Sequence, residues 1–161
     1  MEKAVLGGGC FWCLEAVFPK LKGVIRVVPG YAGGHSLQPD YHQVCSGETG
    51  HAEVVQVEYD PQLINYRQLL EVFFFIHDPT TLNRQGNDVG SQYRSIILTL
   101  SPEQMQQAGD YINQLKKEKT FSRDLVTEIK PLETFYPAEK YHHQYFLNNF
   151  SQPYCQAVVG P

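Results

Sequence analysis

Residues 4–13 read Ala4-Val5-Leu6-Gly7-Gly8-Gly9-Cys10-Phe11-Trp12-Cys13. A short apolar run, a glycine turn and a helix-opening segment follow one another, so the stretch sets up a strand followed by a helix. Cys10 is expected in the first turn of that helix, where unpaired backbone N–H groups and the helix dipole favour an anion. A thiolate is an anion, so the position is expected to depress the Cys10 pKa and make the sulfur nucleophilic. The competing reading is a small buried hydrophobe, the usual fate of a cysteine outside a disulfide. Cys13 follows one helical turn on, and Trp12 is the only tryptophan in the chain.

Outward from this stretch, the first helix runs from Cys10 to about Leu21, with Pro19 predicting an early end or a kink. Val24–Tyr31 is β-branched and stops at Pro29-Gly30, a second strand. Ala52–Tyr59 alternates in polarity, a third strand. Asn65–His77 carries Leu69, Leu70, Phe73 and Phe74 on a helical pattern. Arg94–Leu100 is a fourth strand. Ser101-Pro102-Glu103-Gln104 combines a cap residue, a proline in the first position and a glutamine in the third, so another helix starts there. Val126–Lys130 reads as a fifth strand and Ala138–Asn148 as a last helix. Residues 32–51 and 78–92 read as polar loops, the second long enough to signal function or mobility. The first six elements run β-α-β-β-α-β, the order of the split βαβ, ferredoxin-like plait. The expected fold is therefore α+β: a two-layer sandwich with helices on one face of a mixed sheet, plus a C-terminal extension. The 161 residues show no repeat, linker or low-complexity segment, so residues 1–161 are expected to form a single catalytic domain.

Hydrophobic residues make up 42% of the chain, enough for a packed core rather than disorder. A formal net charge of −4 argues against nucleic-acid binding by bulk electrostatics. No apolar stretch approaches the ~18 residues of a membrane span. Residues 1–6 carry no signal-peptide pattern, so the expected compartment is the cytosol. Four cysteines are too few for a disulfide scaffold of this length. In a reducing compartment a CxxC pair then means redox chemistry or metal.

Glu53 is the second candidate. Along Ala52–Tyr59 one strand face carries Glu53, Val55, Val57 and Tyr59, and the other carries Ala52, Val54, Gln56 and Glu58. Glu53 heads the more apolar stripe. A carboxyl placed there is desolvated, its pKa rises and it can stay protonated as a proton donor. A strand-end glutamate turned to water is the alternative, and the pattern alone leans that way. Phe11 and Trp12 are either plain core or an aromatic wall for a small apolar group such as a methyl. Tyr41, Tyr93 and Asp88 lie in the long loops, where two phenols near a carboxyl would make an oxyanion-type cradle. The histidines and cysteines include one CxxC but no second pair at ligand spacing, so no metal site is expected. His51, His142 and His143 read as hydrogen-bonding or surface residues.

Four motifs now align with a known family. Gly9-Cys10-Phe11-Trp12, Gly50-His51-Ala52-Glu53, Gln85-Gly86-Asn87-Asp88 and Gln92-Tyr93-Arg94-Ser95 closely resemble peptide methionine sulfoxide reductase of the A type. The likeness extends to Asp78-Pro79-Thr80-Thr81 and Glu139-Lys140-Tyr141-His142. The resemblance implies reduction of methionine-S-sulfoxide, free or in proteins, to methionine without a cofactor, in repair of oxidised proteins. It implies that Cys10 attacks the sulfoxide sulfur and that Phe11 and Trp12 form the methyl pocket. Glu53 would protonate the sulfoxide oxygen, Tyr41 and Tyr93 would hydrogen-bond to it, and Asp88 would help order the site. Cys10 would become a sulfenic acid, condense with a second thiol to a disulfide and be recycled by thioredoxin. Two cysteines compete for the resolving role. Cys13 is preferred, because i,i+3 helical spacing can meet the ~4.4–6.8 Å between Cα atoms that a disulfide needs. Cys155, near the C-terminus, is the other candidate or a relay. Cys45 reads as structural. The chain is expected to be monomeric.

Two other readings stay in view. A thioredoxin-like oxidoreductase would use Cys10 and Cys13 as its pair but leaves Glu53 and both tyrosines idle. An aromatic-caged binding module would leave the glycine turn and the cysteine without purpose.

Overall fold

The computed structural model describes residues 2–35, 39–46, 49–86 and 88–139. In chain order the elements are β1 (Glu2–Gly7), α1 (Phe11–Val17), β2 (Val24–Ala32), α2 (Tyr41–Cys45), β3 (Ala52–Tyr59), α3 (Tyr66–Ile76), β4 (Arg84–Gln85), β5 (Asp88–Val89), β6 (Ile96–Thr99), α4 (Pro102–Lys117), β7 (Glu128–Pro131) and β8 (Tyr136–Pro137).

Ala4, Val5 and Leu6 are fully buried because β1 lies in the middle of the sheet with both faces covered. The six-stranded sheet runs β7-β6-β1-β3-β2-β8. β3 inserts antiparallel between β1 and β2, with Leu6 opposite Val55 and Tyr31 opposite Glu53. β6 is antiparallel to β1 on the other side. The order β6-β1-β3-β2 is that of the expected ferredoxin-like plait. β7 then pairs parallel to β6, which makes the sheet mixed. A separate hairpin joins β4 to β5.

The alternation of β3 sorts its residues as expected. Val55, Val57 and Tyr59 join Ala4, Leu6 and Ile97 in the larger core, under Leu14, Leu69, Leu70, Phe73, Ile112 and Leu115 of the helices. The opposite face carries Val5, Ala52, Val54, Ile96 and Leu98, and is covered by Leu132 and Phe135 rather than by water. Each fully buried aliphatic or aromatic side chain contributes roughly 1.5–3 kcal/mol, so the helix-side layer dominates the stability.

The boundaries differ from the sequence reading where tertiary contacts decide them. The α-helical part of α1 stops at Val17 and gives way to one 3-10 turn over Phe18–Lys20 that contains Pro19. Pro19 has no N–H to donate to the carbonyl of residue 15, so the α-helix cannot continue. Cys10 is not inside the first turn but caps it, with extended backbone angles φ −71° and ψ 132°. The loop over residues 32–51 holds the short helix α2, and the loop over 78–92 holds the β4–β5 hairpin and a 3-10 turn at Ser91–Tyr93. Ala138 and Glu139 are not helical; the Ala138 N–H donates to Pro29 O at 2.9 Å and prolongs the pairing of β8. The rest of the predicted last helix, with His142 and His143, lies outside the described residues, as does Cys155.

Two caps behave differently. Asn65 and Gln68 close a reciprocal capping box on α3, at 2.8 and 2.9 Å. Asn65→Ala is expected to cost ~0.5–2 kcal/mol of stability, read as a lower urea midpoint at unchanged slope. At α4 the Ser101 hydroxyl accepts from Gln104 N at 3.2 Å, but Gln104 turns elsewhere. Its amide accepts from Leu100 N and donates to Lys3 O, tying α4 to β1.

Candidate active site

Gly9 has φ +85°, a left-handed conformation in which side chains are strained, so glycine is required at the turn into α1. Its N–H donates to Tyr93 O at 3.1 Å, and Gln85 packs against its α-carbon. Cys10 follows, 6% exposed, and its carbonyl accepts from Cys13 N at 3.1 Å. The next N–H, that of Phe11, donates to Glu53 Oε1 at 3.2 Å. A β3 carboxyl thus docks on an N–H of the first turn of α1, next to Cys10.

Glu53 has no solvent exposure, and its buried Oε2 has no hydrogen-bond partner among the described residues. Burial pushes its pKa up to about 8; the Phe11 N–H and the Cys10 thiol pull it down, and the negative charge of Asp88 pushes it up further. The sign of the Cys10 contribution depends on its own proton. A thiol donates to the carboxylate and favours it, whereas a thiolate repels it and holds the carboxyl protonated.

The aromatic residues divide into a buried and an accessible part. Phe11 is fully buried, with its ring 6.2 Å from Trp12 and 5.6 Å from Tyr31, centroid to centroid. Trp12 is half-buried and stacks on Tyr41 at 6.2 Å and 22°. Tyr41 opens α2, and its N–H donates to Glu139 Oε2 at 3.2 Å, while Tyr31 Oη donates to Glu139 Oε1 at 3.0 Å. Tyr93 is half-buried on its 3-10 turn, tied to the Gly9 N–H through its carbonyl.

The fold therefore gathers Cys10, Phe11, Trp12, Glu53, Tyr41, Tyr93 and Asp88 around one end of β1 and β3. Cys13 is half-buried on α1, one turn from Cys10. His51 is a hydrogen-bonding residue, as expected: its Nδ1 accepts from Gly34 N at 3.0 Å, and its ring meets Tyr136 edge-on.

Several supporting residues escaped the sequence reading. Glu139 and Tyr31 hold α2 in place. Arg94 is 8% exposed and donates to Gly50 O, Gly33 O and Ser91 O at 2.9, 3.4 and 2.9 Å, and to Glu128 Oε2 at 3.1 Å. It links the ends of β2 and β3 to the turn that carries Tyr93. Their one visible signal was membership of the quoted motifs for Arg94 and Glu139, and of the strand end opposite Glu53 for Tyr31.

Chemically, the site places a buried acid beside a thiol and an aromatic surface. Comparison with known proteins agrees. The family model for peptide methionine sulfoxide reductase matches residues 2–161. A peptide methionine sulfoxide reductase MsrA of Nautilia profundicola is 62% identical over 161 residues, covering 100% of this chain and 91% of its own. Reduced Mxr1 of Saccharomyces cerevisiae superposes with a TM-score of 0.90 at 34% identity, over 98% of this chain and 91% of its own. Mxr1 in complex with Trx2 matches at 0.64 and 27% identity, over 89% and 84%. With full-length identity at this level and a family match across nearly every residue, the chain belongs to the peptide methionine sulfoxide reductase family, A type.

Proposed function

We propose that residues 1–161 act as one catalytic domain that reduces methionine-S-sulfoxide, free or in proteins, to methionine, using Cys10 as nucleophile and Glu53 as acid. The observation that carries this reading is the fully buried Glu53 carboxyl, pushed up to about 8 and held on the Phe11 N–H beside Cys10. A sulfoxide oxygen leaves poorly until it is protonated, so the reaction needs a neutral acid next to an anionic sulfur. Trp12, with Phe11 behind it, receives the methyl group, and Tyr41 and Tyr93 hydrogen-bond to the oxygen. Asp88 supports the acid through its charge, which disfavours ionisation of Glu53.

In the first half-reaction a Cys10 S–O bond forms, the sulfoxide S–O bond breaks, and methionine leaves with Cys10 as a sulfenic acid. A second thiol then attacks that sulfur, expels water and leaves a disulfide. A dithiol reductant returns both cysteines to thiols and is itself oxidised to a disulfide. The Trx2 complex of the related Mxr1 supports thioredoxin as that reductant. Cys13 is the first resolving thiol and Cys155 the second candidate. No helix among the described residues is long and apolar enough to cross a membrane. We place the enzyme in the cytosol, where thioredoxin and reduced thiols are at hand.

One turnover without reductant, followed by mass spectrometry of the cysteine peptides, tests the scheme. Methionine should appear in one equivalent per chain, with Cys10 in a disulfide. Cys13→Ser should retain that single turnover and trap Cys10 as a sulfenic acid or pair it with Cys155. Loss of the first turnover in Cys13→Ser would instead favour a dithiol oxidoreductase.

A further inference from the structure

His77 takes no part in the chemistry above, yet its half-buried imidazole packs behind the glycine turn. Its Nδ1 meets Phe73 O, one of the carbonyls that the end of α3 leaves without a helical partner. A carbonyl only accepts, so Nδ1 carries the proton and Nε2 is the acceptor. The Ser95 hydroxyl, 2.7 Å from Nε2, must then donate to it, and Ser95 accepts in turn from Thr127 Oγ1 at 2.7 Å. Burial lowers the His77 pKa to about 4, so this neutral tautomer persists at neutral pH. Phe73 packs on the ring at 4.0 Å between centroids. The ring is thus fastened at both nitrogens and on its face.

What it fastens against is Gly8. A Cβ on Gly8 would stand 2.6 Å from His77 Cδ2 and 2.9 Å from Cγ, too close for any real contact. Gly9 is gripped similarly: a Cβ on it would stand 3.0 Å from Gln85 Cγ. Gln85 is itself held by the residue after His77: Asp78 N donates to its Oε1 at 2.9 Å, and its Nε2 donates to Asp78 O. The two residues before Cys10 therefore rest on the end of α3 and the hairpin that follows it.

We propose that His77 is a positioning residue that, pressed on Gly8 and seconded by Gln85 on Gly9, sets where the Cys10 thiol stands relative to Glu53. The catalytic consequence rests on the reductase reading; the placement of Cys10 does not. Gly8→Ala must displace something. His77 is anchored on three sides, so the backbone turn yields and carries Cys10 off Glu53. His77→Ala loosens the same turn by removing its support. In the double variant the new methyl occupies the space the ring vacated.

The test is a set of three variants, Gly8→Ala, His77→Ala and the pair together, with two readouts. The first is alkylation of Cys10 by iodoacetamide, followed on the Cys10 peptide. The second is the rate and KM of the first turnover with free methionine sulfoxide. Each single variant should raise Cys10 alkylation and lower the first-turnover rate by about 10-fold at nearly unchanged KM, in keeping with the sensitivity of such sites to ångström misplacement. The double variant should lie closer to wild type than Gly8→Ala on both readouts. A residue that merely fills the core would lower the melting temperature without moving either readout and without that reversal. Singles within about twofold of wild type, or a double at least as impaired as Gly8→Ala, overturn the proposal. If His77→Ala does not fold, Ser95→Ala releases Nε2 while keeping the ring, and should shift both readouts the same way by less. Should the wild-type chain make no methionine, the reductase reading fails and alkylation alone decides the positioning.

Discussion

Glu53→Gln is expected to slow oxidation of Cys10 by methionine sulfoxide about 10²–10⁴-fold, the range spanned by a positioned general acid, with KM within a few fold. The substitution is nearly isosteric. The amide oxygen can still accept from Phe11 N, so the first turn of α1 keeps its partner. What disappears is the transferable proton. With a pKa pushed up to about 8, the wild-type carboxyl is protonated at neutral pH, and the step should slow as pH rises through that value. The variant should lose that slowing limb. The same carboxyl also tilts stability. Unfolded, it titrates near 4.5; folded, near 8, so between those values the native state binds the extra proton. Stability therefore falls as pH rises across that window, by up to ~1.4 kcal/mol per unit, and levels off above it. Glu53→Gln should flatten this slope and be the more stable protein at pH 8. A single-turnover rate equal to wild type, or an unchanged dependence of the urea midpoint on pH, would refute the assignment.

That carboxyl also shows how far the sequence could be read. The alternation of Ala52–Tyr59 set Glu53 at the head of the more apolar stripe but leaned toward a strand end turned to water, whereas the structure buries it completely. Periodicity could not say whether that end of the strand is covered. The cover comes from the turn before α1, more than 40 residues earlier in the chain. Likewise the helical spacing of Leu69, Leu70, Phe73 and Phe74 announced α3, the Ser101-Pro102 cap signal announced α4, and the plait order followed from element succession. α2 and β8 were invisible for the opposite reason. Each is too short to be stable by itself, and each is held by remote partners: Tyr41 N by Glu139, 98 residues away, and β8 by the edge of β2. Cys10 sits one residue outside the helix expected to contain it. Pattern locates a helix terminus only to within a residue or two, whereas the cap is set by backbone angles.

Arg94→Ala is expected to destabilise the fold by ~3–5 kcal/mol, a large share of the 5–15 kcal/mol typical of a domain this size. The guanidinium is not chiefly half of an ion pair. Glu128 is 38% exposed at its side chain, and a partner so placed contributes at most ~1 kcal/mol. The larger part lies in the carbonyls of Gly50, Gly33 and Ser91, which lose a charged donor on truncation. Lysine should recover less than half, because one ammonium on a flexible stem cannot reproduce a planar fork reaching three loops. Glu128→Gln should cost under ~1 kcal/mol by the same reasoning. Urea midpoints for the three variants separate the contributions. If Glu128→Gln cost as much as Arg94→Ala, the ion pair and not the loop carbonyls would be the source. The loops are also what the site depends on. Gly50 leads into the strand that carries Glu53, and Ser91 opens the turn whose Tyr93 carbonyl holds Gly9. At a temperature where Arg94→Lys remains folded, its first-turnover rate should therefore fall along with its stability, because the acid and the nucleophile hang from the two loops that this one side chain binds together.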